Sequence, residues 1–219
     1  MGRPDYYPIF LDLTGRRCLL VGGGSVAEGK VRGLLAAQAD VTVVAPVLTP
    51  ALQALVAAGE IRHREGEYPA SDLESADLCF VATDDGAINA RVAADAREHG
   101  VWVNAADDPA NCDFILPAVV RSGSVVLAAS TGGGSPALAR RLREDLTAFL
   151  DEGYGPLGDV LAAVRAEVRA AGQRIDPEAW QRAIDAKLRT LVAQGRIEDA
   201  RQRLRKALGL RPAPADAEK

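Results

Sequence analysis

A chain of 219 residues, 48% hydrophobic and 26% charged, is long enough for one α/β domain and a smaller appendage and has the composition of a globular protein. A net charge of −4, with no basic run interleaved with aromatics, makes nucleic acid a poor partner. No stretch approaches the about 18 consecutive apolar residues of a membrane span, so no membrane partner is expected.

The first residues, Met1-Gly2-Arg3-Pro4-Asp5, lack a signal-peptide core, which predicts a cytoplasmic location. Cys18, Cys79 and Cys112 are widely spaced and odd in number, and read as small buried hydrophobes rather than a disulfide framework. With His63 and His99 as the two histidines and no paired cysteines, no metal site is expected.

In chain order, Tyr7 to Leu11 leads to a turn at Thr14-Gly15, and Cys18-Leu19-Leu20-Val21 reads as a buried strand. Gly22-Gly23-Gly24-Ser25-Val26-Ala27 then opens a helix with Ala27, Val31, Leu34 and Leu35 on one face. Gly22, Gly24 and Ala27 occupy the three small-residue positions of a dinucleotide fingerprint. Such residues let a pyrophosphate approach the backbone at a helix N-terminus. A tight strand–helix turn without a ligand is the plainer alternative.

Val41 to Ala45 predicts a second strand ended by Pro46. Thr49-Pro50 starts a helix that stops near Gly59. Ile61-Arg62-His63 is a weak third strand, Leu78 to Ala82 a fourth and Val101-Trp102-Val103 a fifth, with a helix from Asp85 to Gly100 between the last two. This alternation implies β-α-β units and an open parallel sheet.

After Asp107 the pattern changes. Phe114-Ile115-Leu116 and Ser124 to Ala129 flank Arg121-Ser122-Gly123 as a hairpin. Ser135-Pro136 opens a helix to about Phe149, and Gly153-Tyr154-Gly155-Pro156 reads as a linker. Three helices fit the remainder. The first carries Leu157, Val160, Leu161, Val164 and Val168. The second runs from Asp176-Pro177 to Gly195 with Trp180, Ile184, Leu188 and Leu191, and the third carries Ile197, Ala200, Leu204 and Leu208. The tail from Arg211 is expected to be disordered.

Several loops carry chemistry. The second strand ends in Ala45-Pro46-Val47, where a nicotinamide site ordinarily places an acidic residue. No Arg stands there either, which leans towards NAD over NADP. Thr83-Asp84-Asp85 follows the fourth strand at the edge where open α/β folds bind ligands. One aspartate is expected to cap the next helix, with Thr83 facing the cofactor.

Asn104-Ala105-Ala106-Asp107 follows the fifth strand on the same edge. There Asp107 could take up a proton as hydride leaves for a nicotinamide, or simply form a polar turn before Pro109. Ser130-Thr131-Gly132-Gly133-Gly134-Ser135, with Arg140, Arg141 and Arg143 beyond it, is either an anion-binding turn or a flexible connection in which Ser135 caps a helix. Residues 1–115 hold 9 Lys and Arg against 17 Asp and Glu, and residues 116–219 hold 17 against 13. The basic second part is either solvated helix face or a surface for a polyanionic substrate.

These residues resemble the precorrin-2 dehydrogenase family, which includes the N-terminal half of siroheme synthases. The resemblance runs over residues 7–143. Its matching strings are Tyr7-Pro8-Ile9-Phe10-Leu11, Cys18 to Gly24 with Ala27 and Lys30, Ala82-Thr83-Asp84-Asp85, Asn104 to Asp107, Phe114 to Pro117, and Ser130 to Pro136 with Leu138-Ala139-Arg140.

It implies NAD-dependent oxidation of precorrin-2 to sirohydrochlorin, with Asp107 as the essential aspartate. It places NAD on Ser25, Val26, Pro46 and Val47, and Gly22, Gly24, Thr83, Asp84 and Asn104 are assigned to the cofactor with them, from the glycine fingerprint and the ligand edge. Thr131, Gly132, Ser135 and Arg140 would meet the tetrapyrrole's carboxylates. Some members also insert Fe²⁺ as a substrate, a step that Asp107 would serve too, and in some relatives a serine near Ser130-Thr131 is phosphorylated. No counterpart of the synthases' methyltransferase domain is expected within these residues.

The implied organisation is a Rossmann-like NAD-binding domain (1–113), a homodimerisation segment with a β-hairpin (114–150), a C-terminal helical domain (151–210) and the tail (211–219). The rival reading is a non-catalytic NAD-sensing module.

Overall fold

The computed structural model describes residues 5–106 and 108–210, so Asp107 and the tail expected to be disordered lie outside the described residues. The chain divides into two compact units, one ending at Leu116 and one beginning at Pro117.

The first unit is built on five parallel strands, β1 (Arg17–Val21), β2 (Asp40–Ala45), β3 (Arg62–Glu65), β4 (Leu78–Val81) and β5 (Trp102–Ala105), in the order β3-β2-β1-β4-β5. β1 shows why its sequence is apolar without alternation. Cys18 and Leu20 face a core shared with Ala27, Val31 and Leu34 of helix α1 (Ser25–Ala36) and Leu52 of α2 (Pro50–Ala57). Leu19 and Val21 face a second core, with Val92, Ala93 and Ala96 of α3 (Gly86–Glu98). A central strand covered on both faces has no solvent side to leave polar. Burial pushes the thiols of Cys18 and Cys79 up to about 11 and about 12, and both are free, as the spacing predicts.

Local signals set the helix starts. Thr49 accepts from the Leu52 amide, with Pro50 at the first position of α2. Of the two candidate aspartates before α3, Asp85 is the cap, accepting from the amides of Ala87 and Ile88 at 2.8 and 3.1 Å.

The second unit holds an antiparallel hairpin, β6 (Ala118–Ser122) and β7 (Val125–Ala129), and helices α4 (Pro136–Asp151), α5 (Tyr154–Ala170), α6 (Pro177–Ala183), α7 (Ala186–Ala193) and α8 (Ile197–Ala207). Its core gathers Leu157, Val160 and Val164 with Leu188, Leu191 and Leu204.

Three expectations are corrected here. The first hairpin strand lies beyond Phe114-Ile115-Leu116, because Pro117 has no amide to give a ladder and Phe114 packs edge-on to Phe80, with ring centroids 5.5 Å apart. The turn is Gly123-Ser124, whose Ser124 amide donates to Asp159 of α5 at 2.8 Å. Tyr154 to Pro156 is the first turn of α5 rather than a linker. Gly153 alone makes the break, at φ +99°, and Gly155 lies where a Cβ would come within 2.0 Å of the Ser122 hydroxyl oxygen. The single helix expected from Asp176 to Gly195 is two, broken at Ile184-Asp185. Asp185 accepts from the Leu188 amide at 2.8 Å and pairs with Arg203 of α8. Periodicity runs unbroken through Ile184 and does not register such an internal cap.

Gly22 and Gly24 make opposite demands on the turn. Gly22 sits at φ +120°, and a Cβ there would lie 2.2 Å from the Ala82 carbonyl oxygen, whereas nothing lies within 4 Å of a Cβ at Gly24. Gly22→Ala is therefore expected to lose about 1–3 kcal/mol from backbone strain alone, with the clash adding to it. Gly24→Ala should melt close to wild type. Thermal denaturation of both variants checks this.

Candidate functional site

The carboxyl ends of the parallel strands line up along one edge, and the loops that leave β1, β2, β3 and β4 enclose a cavity of about 660 Å³. Its floor is the turn from β1 into α1. The Gly22 amide donates to the Val44 carbonyl at 2.9 Å, and the Gly23 carbonyl accepts from the Thr49 amide at 3.0 Å, which ties the turn to the segment leaving β2. A Cβ at Gly23 would lie 2.1 Å from the Val47 carbonyl oxygen. This middle glycine is as constrained as Gly22, although a fingerprint reading passes over it.

Helix α1 begins at Gly24 with no side chain capping its first amides, while Thr49, Asp85 and Ser135 cap α2, α3 and α4. An uncapped, glycine-fronted helix start that opens into a cavity is suited to an anion, and Gly24 lines that cavity with nothing within 4 Å of where its Cβ would stand.

Of the nine residues that sequence reasoning assigns to a cofactor, the structure brings eight around this cavity: Gly22, Gly24, Ser25, Val26 from the first loop, Pro46 and Val47 from the second, Thr83 and Asp84 from the fourth. Thr83 lines it with its hydroxyl already engaged, donating to Asn89 Oδ1 at 2.6 Å, while Asn89 Nδ2 donates back to the Thr83 carbonyl at 3.1 Å. That buried asparagine holds the loop's shape and leaves Asp84 exposed beside the cavity.

Asn104 is not among the residues lining the cavity. It is buried at the end of β5. Lys30 Nζ donates to its Oδ1 at 2.7 Å, and its Nδ2 donates to the Phe114 carbonyl at 2.9 Å. Asn104 thus joins α1 to β5 and to the segment that closes the first unit. The Cys112 thiol, raised by burial, donates to the Ala105 carbonyl at 3.1 Å in the same cluster. Asp107, two residues beyond β5, lies outside the described residues.

The four residues assigned to substrate lie in the second unit. The Ser135 hydroxyl accepts from the Leu138 amide at 3.2 Å, and the Thr131 hydroxyl oxygen accepts from the Ser135 amide at 3.1 Å. Both hydroxyls are therefore engaged in starting α4. Gly132 sits in the turn before it, its amide donating to the Ser130 hydroxyl at 3.1 Å, and Arg140 is exposed one turn into the helix.

The cavity wall also holds Glu67, Tyr68 and Arg91, which sequence reasoning did not single out. Arg91 Nη2 donates to the Tyr68 carbonyl at 2.9 Å, and its guanidinium lies 5.6 Å from the Tyr68 ring centroid. The Tyr68 hydroxyl donates to Asp95 at 3.2 Å, and burial, reinforced by that carboxylate, drives its pKa well above the usual phenol range. A signal for these residues was present: every parallel strand ends on the ligand edge, so the residues after the third strand belong there too.

A family model described as putative NAD(P)-binding matches residues 9–118. The siroheme synthase of Methylococcus capsulatus is 43% identical over 205 residues, covering 93% of this chain and 43% of that protein. The siroheme synthase of Photobacterium profundum is 39% identical over 202 residues, covering 91% and 43%. The chain thus spans less than half the length of these relatives. The solved structure of SirC, a precorrin-2 dehydrogenase, matches with a TM-score of 0.74 at 30% identity, covering 92% of this chain and 100% of that one. Its match over the whole of SirC, together with the nucleotide-type turn between β1 and α1, places the lineage: the chain belongs to the precorrin-2 dehydrogenase family.

Proposed function

We propose that the protein oxidises precorrin-2 to sirohydrochlorin, with NAD⁺ as hydride acceptor and Asp107 as proton acceptor. The observation that carries this reading is the cavity of about 660 Å³ in front of the uncapped start of α1, on the same sheet edge at which β5 leads into Asp107.

The residues fit a dinucleotide. The first amides of α1 and the open face at Gly24 suit its pyrophosphate, and Pro46, Val47 and Val26 offer an apolar wall. Once bound, NAD⁺ supplies the hydride acceptor. The chain's task is to hold the macrocycle against it and remove a proton. Two electrons and one proton leave as hydride, and a second proton passes to the Asp107 carboxylate and on to water. NAD rather than NADP is favoured by Ala45-Pro46-Val47, where no basic side chain stands to receive a 2′-phosphate.

The macrocycle's carboxylates are assigned to the second unit. Since Ser135 and Thr131 use their hydroxyls locally and the Gly132 amide donates to Ser130, the guanidinium of Arg140 is the group suited to anions there. A homodimer through residues 114–150 is supported by apolar side chains left open in that segment, Val119, Leu138 and Phe149 being 38%, 51% and 42% exposed.

Asp107→Ala is expected to cut kcat by about 10²–10⁴-fold while leaving the NAD⁺ dissociation constant near wild type. Anaerobic turnover with precorrin-2 and calorimetric NAD⁺ titration measure the two quantities. Near-normal turnover removes Asp107 from the chemistry. Asn104→Ala takes an acceptor from Lys30 and a donor from the Phe114 carbonyl. It should lower stability by about 1–3 kcal/mol in urea unfolding and slow turnover along with it.

A further inference from the structure

We infer that Glu67 supplies the ribose-binding carboxylate that the end of β2 lacks, and with it the preference for NAD over NADP. The inference rests on the dinucleotide reading of the cavity and adds a residue to it.

In nucleotide sites of this architecture an acidic side chain at the end of the second strand accepts from the adenosine ribose hydroxyls. Here that strand ends in Ala45-Pro46-Val47. The neighbouring strand makes up the deficit. β3 runs parallel to β2 with Glu65 opposite Ala45, so the two chains leave the sheet side by side. The Gly66 amide donates to the Ala45 carbonyl at 3.3 Å, and Glu67, the next residue, lines the same cavity as Pro46 and Val47.

The backbone at this point is held. Arg64 donates to the Glu67 carbonyl and pairs with Asp72 at 2.7 Å. The Glu67 side chain is exposed, and among the described residues its carboxylate takes part in no hydrogen bond or ion pair. A held backbone with an unengaged carboxylate at the cavity wall is the arrangement a diol needs.

The charge balance of the wall agrees. Arg91 is the cation among the lining residues, and it is tied to the Tyr68 carbonyl and ring. One of its donors is thereby spent on the protein, and the guanidinium is held against the Tyr68 ring. Towards a ribose diol, Glu67 forms charge-assisted hydrogen bonds. Towards a 2′-phosphate it loses one donor and faces a second anion.

Calorimetric titration of the full chain with NAD⁺ and NADP⁺, for wild type, Glu67→Gln and Arg91→Gln, tests the inference. Wild type should bind NAD⁺ the more tightly. Glu67→Gln should weaken NAD⁺ binding about tenfold or more while NADP⁺ binding holds or improves, so that the affinity ratio narrows. Arg91→Gln should change both dinucleotides alike. An unchanged ratio in Glu67→Gln, or a ratio that moves in Arg91→Gln instead, overturns the assignment while leaving the cavity reading in place. A wild-type chain that binds neither dinucleotide overturns both.

Discussion

Everything at the ligand edge depends on the close approach of the β1–α1 turn to the strands on either side of it. At Gly22 the backbone passes so near the Ala82 carbonyl that a methyl group would lie 2.2 Å from it, and at Gly23 the same holds for the Val47 carbonyl at 2.1 Å. The turn is clamped between the exits of β2 and β4, and side chains are excluded for reasons internal to the protein. Gly24, one residue on, has no such neighbour. The glycine run thus combines two different requirements. Two positions let the fold close, and the third keeps the helix start open for a nicotinamide dinucleotide.

The sheet order converts this local clamp into a site. With β1 central and β2 and β4 on either side, the loops following the three strands meet around one cavity. β5 extends the edge by one strand, and Asn104 locks its end to Lys30 of α1 and to the Phe114 carbonyl. Its amide is a structural joint between the cofactor helix and the strand that leads into the aspartate. A buried, fully bonded amide of this kind favours one arrangement of the edge over looser alternatives. The covering of both faces by apolar side chains gives the edge its rigidity, since loops on a well-packed scaffold can hold a ligand in a defined geometry.

The sequence made the first unit legible because its signals are local. Cys18 to Val21 is apolar throughout as a two-sided strand must be, and Thr49-Pro50 and Asp85 are caps whose chemistry acts within three residues. Where the decisive contact is distant, the reading failed. Phe114 looked like hairpin, yet it belongs to the Phe80 core more than thirty residues back in sequence. Ile184 looked like mid-helix, yet Asp185 starts a new helix and pairs with Arg203 of α8. Glu67, Tyr68 and Arg91 carry no motif at all. They reach the cavity because β3 lies beside β2 and α3 packs over the chain leaving β3, facts of topology rather than of spacing. Thr83 shows a subtler limit. It stands at the cavity as expected, but its hydroxyl is already donated to Asn89.

In the proposed function, this edge transfers hydride from a reduced tetrapyrrole to a nicotinamide dinucleotide bound in front of α1. The most direct measurement is a single-turnover reaction without oxygen, mixing the wild-type chain, NAD⁺ and precorrin-2 and following NADH and the macrocycle spectrum together. NADH is expected to appear in step with sirohydrochlorin, one for one. Tight NAD⁺ binding with no NADH formed, or sirohydrochlorin formed without NADH, contradicts it.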